Sequence, residues 1–126
     1  MAAAIILALS ACAQAGPAPD AVAFAPEYQG IEARTLGRGL VQVEVGMRGA
    51  RDEADVERYA QCAVAKQALS AGFGFARHLR TLVSHEAGLW RADAVYVISA
   101  ALPPGQRTID AEVVAADCAE HGIPMV

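Results

Sequence analysis

Apolar and polar residues alternate strictly through residues 40–48. Val41, Val43, Val45 and Met47 interleave with Gln42, Glu44, Gly46 and Arg48, the period-two pattern of a strand with one buried and one wet face. The period then changes. Asp52 stands where an N-cap belongs, with Glu53, Asp55 and Glu57 following in the first turn, where carboxylates meet the positive end of the helix dipole. Val56, Tyr59, Ala60, Ala63, Val64 and Ala71 fall on one side at helical spacing, and Gly72 is placed to terminate the helix as C′. The spacing predicts a helix over 53–71.

Two segments rich in aromatic and β-branched residues follow, FGFARHLRTLVSH and LWRADAVYVIS, separated by Glu86-Ala87-Gly88 as a hairpin connection. In the second, Trp90, Ala92, Ala94, Tyr96 and Ile98 share one face. LPPGQ breaks the sheet, IDAEVV is expected as a fourth short strand, and AADCAEHG as a last helical turn ending at Gly122. The expected class is α+β, a small antiparallel sheet of three to four strands with one long helix packed across it, in the order β-α-β-β-(β)-α.

Composition narrows this picture. The chain has 126 residues, which favours a single core. Its hydrophobic fraction of 55% includes 29 alanines, so few large side chains are available to build that core. A net charge of −4, with nine of the ten basic residues arginine, leaves no global basic field, and nucleic acid is not expected as a partner.

Residues 2–11, AAAIILALSA, are all small or aliphatic, about half the ~20 residues a membrane-crossing helix needs. That is the length of a signal-peptide core, read here as residues 1–11. Leu9-Ser10-Ala11-Cys12 matches a bacterial lipobox, in which the Cys12 thiol receives a diacylglycerol through a thioether and cleavage frees its amine for a further acyl chain. A competing route is cleavage at the A-x-A site Ala13-Gln14-Ala15, releasing a soluble protein that starts at Gly16. Position favours the lipobox, because the apolar run stops at Cys12. The leader carries no Lys or Arg, only its α-amine. Ala13, not Asp, follows the cysteine, which by resemblance to lipoprotein sorting signals points to the outer membrane.

Residues 12–38 contain Pro17, Pro19 and Pro26 with several alanines and no sustained period. They read as a lipidated N-terminus and flexible tether spanning roughly 30 Å, of which FAPEYQG, with Phe24 and Tyr28, has the aromatic content to pack on the domain. The domain itself is expected over 39–126. The membrane, through the lipid anchor, is the expected partner, together with an envelope protein or polymer.

Of three cysteines, a lipidated Cys12 leaves Cys62 and Cys118, which could pair in an oxidising periplasm or stay as separate buried thiols. His78, His85 and His121 are the only imidazoles, and no C-x-x-C or H-x-x-x-H spacing accompanies them. No metal site, cofactor or catalytic residue is assigned. The GFGF run at 72–75 follows a helix and enters a strand, the wrong order for a phosphate loop. Arg77, His78, Arg80 and Arg91, with Trp90, form the one locally basic region and are the candidate anion-facing surface; the alternative is a solvated strand face with cross-strand ion pairs.

The stretches VERYAQCAVAKQALSAGFGFARHL, WRADAVYVISAALPPG and DAEVVAADCAEHGIP, with the upstream LSAC, resemble small uncharacterised envelope lipoproteins of alphaproteobacteria. The resemblance covers most of the chain after residue 39 and rests on no functional motif. It implies an exported, lipid-anchored protein without an assigned activity. The function expected from the sequence is therefore a non-enzymatic envelope lipoprotein. A soluble periplasmic binding protein is the alternative, followed by a Cys/His metal or thiol enzyme.

Overall fold

The computed structural model describes residues 23–126 apart from 106. Residues 1–22, with the signal segment, the lipobox, Cys12 and the A-x-A site, lie outside the described residues. Five strands and two helices follow one another as β1 (Glu27–Gly37), β2 (Leu40–Arg48), α1 (Glu53–Ser70), β3 (Phe75–Glu86), β4 (Leu89–Ser99), β5 (Thr108–Asp110) and α2 (Ala111–Glu120). The strands form one antiparallel sheet in the order β1-β2-β4-β3-β5. The α+β class and the antiparallel sheet agree with the sequence pattern. The strand count is five rather than three to four, and the second helix is longer than one turn.

Strand β2 is the pattern read from the sequence. Val41, Val43, Val45 and Met47 are at most 3% exposed, while the residues between them are only partly covered. In register with them across β4 lie Tyr96, Ala94, Ala92 and Trp90, so the buried sets of the two strands share one face. Helix α1 lies on that face and contributes Val56, Tyr59, Ala60, Ala63, Val64 and Ala68 to the same core. Small residues on both sides, Ala60 and Ala63 on the helix and Ala76, Ala92 and Ala94 on the strands, leave the filling of space to Tyr59, Met47 and Tyr96. Each such large side chain stabilises by about 1.5–3 kcal/mol on burial.

Both helix ends are satisfied locally. At the start of α1 the Asp52 carboxylate accepts from the Ala54 N–H at 3.0 Å. At its end Phe73 N–H donates to Ala68 C=O at 2.8 Å and Gly72 N–H to Leu69 C=O, with Gly72 at φ +84°, the arrangement in which a left-handed glycine closes the last turn. Ala71, expected on the buried face, instead caps the helix and is exposed.

Two expectations are corrected. The segment 27–37, read as tether, is strand β1, paired with β2 from Glu27↔Arg48 to Gly37↔Leu40. Its pattern hides this because it is an edge strand on which only Tyr28 and Ile31 pack against the core, while Ala33 and Thr35 stay exposed. Tyr28 is fixed edge-to-face on Tyr59, ring centroids 4.7 Å apart. The second correction concerns IDAEVV. Only Ile109 and Asp110 belong to β5, and Ala111 already begins α2. Asp110 decides the boundary, since its Oδ1 accepts from the N–H groups of Glu112 and Val113 at 3.0 and 3.2 Å.

The hairpin expected at 86–88 is present, with Ala87 and Gly88 both at positive φ, 51° and 80°. Such a pair of left-handed residues matches the twist of the flanking strands. No helix among the described residues is long and apolar enough to cross a membrane.

Candidate functional site

Three features hold the polar and reactive side chains: a bridge between the helices, the sheet face opposite them, and a cleft beside the β3 edge. The bridge is the Cys62–Cys118 disulfide, joining α1 to α2 across 56 positions of sequence, with a Cα–Cα distance of 6.0 Å. Both cysteines are essentially inaccessible. Of the two arrangements the sequence allowed, the bonded one is found. Beside it Arg58 Nη2 donates to Asp117 Oδ2 at 2.6 Å, and this hydrogen bond holds the Asp117 carboxyl below its usual range. Asp117, Glu120 and His121 place one ligand-type atom each within 4.8 Å of one another. All three are solvent-exposed, Arg58 is already paired with Asp117, and His121 Nδ1 lies 3.2 Å from Asp117, so the group is an exposed polar cluster at the end of α2. Cys118, bonded to Cys62, is not a thiol partner for His121.

The candidate anion-facing surface is divided by the sheet. Arg77, Arg80 and Arg91 pair in register with Val97, Val95 and Ser84, on the face away from the helices. His78 pairs with Tyr96 and lies on the helix side. Carboxylates interleave with the arginines. Arg80 is 3.8 Å from Asp93, which also accepts from Gln42 Nε2 at 2.9 Å, and Arg34 lies between Glu32 and Glu44. Arg91 has no carboxylate within ion-pair distance among the described residues. It stands opposite Gly46, beside a shallow depression of about 730 Å³ bordered by Glu44, Arg48, Leu82, Leu89 and Asp93. The face is therefore of mixed sign, the pattern of cross-strand ion pairs rather than a uniform anion platform.

On the helix side, a second cleft of about 700 Å³ opens between α1 and the β3 edge. Glu57 and Gln61 reach it from α1, His78 and Thr81 from β3, Tyr96 from β4, and Thr108 from β5. His78 Nε2 and Thr81 Oγ1 share a hydrogen bond at 2.7 Å, and the imidazole packs edge-to-face on Tyr96. Burial pushes the Tyr96 hydroxyl up to about 12, a hydrogen bond with Gln61 acting the other way and the Glu57 charge adding to the rise. The phenol is thus neutral at ordinary pH.

The three histidines occupy separate settings: His78 in this cleft, His85 stacked on Trp90 at 3.9 Å, and His121 at the end of α2. Sequence reasoning made His78 a candidate but gave no site role to Glu57, Gln61, Thr81, Tyr96 or Thr108 beside it. Tyr96 was placed on the buried face by its alternation. Nothing local in the sequence signals that the remaining residues converge with it.

A protein-family model, the YNQ4 C-terminal domain, matches residues 28–122, from the second residue of β1 to the glycine after α2. The chain belongs to this family. The match begins inside the segment expected as tether, which agrees with β1 being part of the domain. The chain is also similar to the "Uncharacterized 26.9 kDa protein in nqo8 5'region" of Paracoccus denitrificans, with 30% identity over 104 residues. That alignment covers 78% of this chain and 41% of the relative, so the chain spans less than half the relative's length. No solved structure matches. Within the YNQ4 C-terminal domain family, then, the described domain has its sheet, both helices and the bridge between them inside the matched region.

Proposed function

We propose that the protein is a lipid-anchored module of the bacterial cell envelope, held at the periplasmic side of the outer membrane by acyl chains on Cys12, with a domain that binds partners and performs no catalysis. The observation that carries this reading is the Cys62–Cys118 bond. Disulfides persist in secreted and periplasmic proteins and are rare where thiols are kept reduced. With two of three cysteines bonded to each other, Cys12 is the one left, and it sits at the end of the apolar leader within Leu9-Ser10-Ala11-Cys12. One acyl chain binds a bilayer marginally and two or three anchor stably, at about 0.8 kcal/mol per buried methylene.

The binding role is supported by the wide, mixed-charge sheet face, a surface suited to a protein or polymer partner rather than to a small molecule. Bonding of Cys118 also removes the thiol on which a Cys/His enzyme would depend.

Metabolic labelling with a palmitate analogue tests the anchor. The wild-type protein takes up label and partitions with membranes, whereas Cys12→Ala loses the label and is recovered in the soluble fraction. A wild-type protein released unlabelled, with Gly16 as its first residue, would replace this reading with that of a soluble periplasmic binding protein.

A further inference from the structure

Strand β5 covers the outer edge of β3 only at Phe75, Ala76 and Arg77. The coverage ends where His78 N–H donates to Arg107 C=O at 3.1 Å. From Arg80 to Glu86 the strand continues for seven residues, roughly 23 Å, in unbroken register with β4 and with no neighbour on its other side among the described residues. Leu82, next to its central residue Val83, is 63% exposed. An uncovered stretch of this kind is a template for pairing with another strand unless its side chains forbid it. The other edge of the sheet is different, since the register of β1 breaks twice, at Gly30 and Gly37.

We propose that residues 80–86 pair antiparallel with the same residues of a second copy of this chain, about a two-fold axis at Val83, joining two five-stranded sheets into one. The pairing rests on self-complementarity. Residues directly opposite must share a face, so only registers that pair residues of like parity are allowed. Centring on Val83 sets Arg80 against Glu86 of the second copy at both ends, a cross-strand pair of opposite charges made twice. On the same face Leu82 lies opposite Ser84 and diagonal to the second Leu82. On the helix side Val83 faces Val83, and Thr81 faces His85. Centring on Leu82 or on Ser84 makes neither charge pair.

The lengths also agree. In this register residues 80–86 of the second copy fill the seven uncovered positions, and its chain turns away toward its own β4 at Ala87, opposite Leu79 and short of His78, whose edge Arg107 holds. Pairing about a two-fold axis is the closed, isologous arrangement most common among homo-oligomers. The proposal does not rest on the lipid anchor.

Native mass spectrometry of the full chain tests it. Wild type shows a dimer whose share rises with concentration, and Arg80→Glu or Glu86→Arg, each of which places like charges opposite one another twice, weakens it by about tenfold. Mixing these two variants restores both charge pairs and yields a heterodimer at wild-type strength. Because Arg80→Glu also sets a carboxylate beside Asp93, a second variant leaves all charges in place. Val83→Cys forms an intermolecular disulfide under mild oxidation, its Cα atoms falling in the ~4.5–5.5 Å range of opposed residues, while Arg34→Cys on the β1 edge does not. A wild-type protein that stays monomeric, single variants that dimerise as wild type does, or a mixture that gains no heterodimer would each overturn the proposal.

Discussion

The two faces of the sheet are built from the same strands on opposite rules. Toward the helices, Val43, Met47, Ala94 and Tyr96 are 0–2% exposed and touch α1, and the disulfide ties α2 over the same side. Away from them, Gln42, Glu44, Arg80, Arg91 and Asp93 remain in contact with water, and the ion pairs on this face are long, Arg34 lying 3.6 and 3.8 Å from Glu32 and Glu44 and Arg80 3.8 Å from Asp93. One face holds the molecule together and the other meets solvent. Stability should therefore be concentrated on the first and binding on the second, and this contrast can be attacked directly.

The largest effect expected is on the bridge. Replacing Cys62 and Cys118 with alanine, or reducing the bond, lowers stability by about 4 kcal/mol on the chain-entropy account, read as a shift in the urea midpoint. Next comes a matched pair on opposite faces of β2. Met47→Ala empties a fully buried site and destabilises by about 3 kcal/mol, whereas Glu44→Ala on the wet face changes stability by less than about 1 kcal/mol. Comparable losses at both positions would erase the distinction between the faces.

The third test uses pH. Because the folded Tyr96 value, about 12, lies above its ordinary 10, the preference for the neutral phenol is fully present below pH 10 and is lost as pH rises from about 10 to about 12. That loss amounts to about 2–3 kcal/mol and should vanish in Tyr96→Phe, measured by alkaline denaturation. The smallest effect lies at the hairpin tip, outside both faces. Ala87, a non-glycine residue at φ +51°, should gain about 0.5–1 kcal/mol when replaced by glycine or asparagine, visible as a rise in Tm.

How much of this was legible in the sequence depends on how each residue is buried. Strand β2, helix α1 and the β3–β4 hairpin could be read because each presents a continuous apolar face to one core, which imposes period two or period 3.6. Strand β1 could not, since an edge strand with two of its eleven residues against the core leaves almost no period. Its signal was the turn Arg38-Gly39 immediately before the alternating segment of β2, both residues at positive φ. In α2 the apolar pair Val113-Val114 read as strand, while Asp110 two residues before the first of the N–H groups it caps was the better guide.

The site was less legible than the fold. Parity, with Cys12 set aside, allowed a Cys62–Cys118 bond without requiring it, and Arg77, His78 and Arg80 are neighbours in sequence that the pleat of β3 sends to opposite faces. The carboxylate beside Arg80, Asp93, comes from another strand. Register sets that mixture of charges, and no local pattern reports register.

The account turns on an acylated Cys12 and a closed Cys62–Cys118 bond in one molecule, and the intact mass of the protein extracted natively from membranes reads both. It predicts a chain beginning at Cys12, heavier by a diacylglycerol and a further acyl group and lighter by the two hydrogens of one disulfide. A mass equal to the bare polypeptide, with Cys12 absent or unmodified, would contradict it.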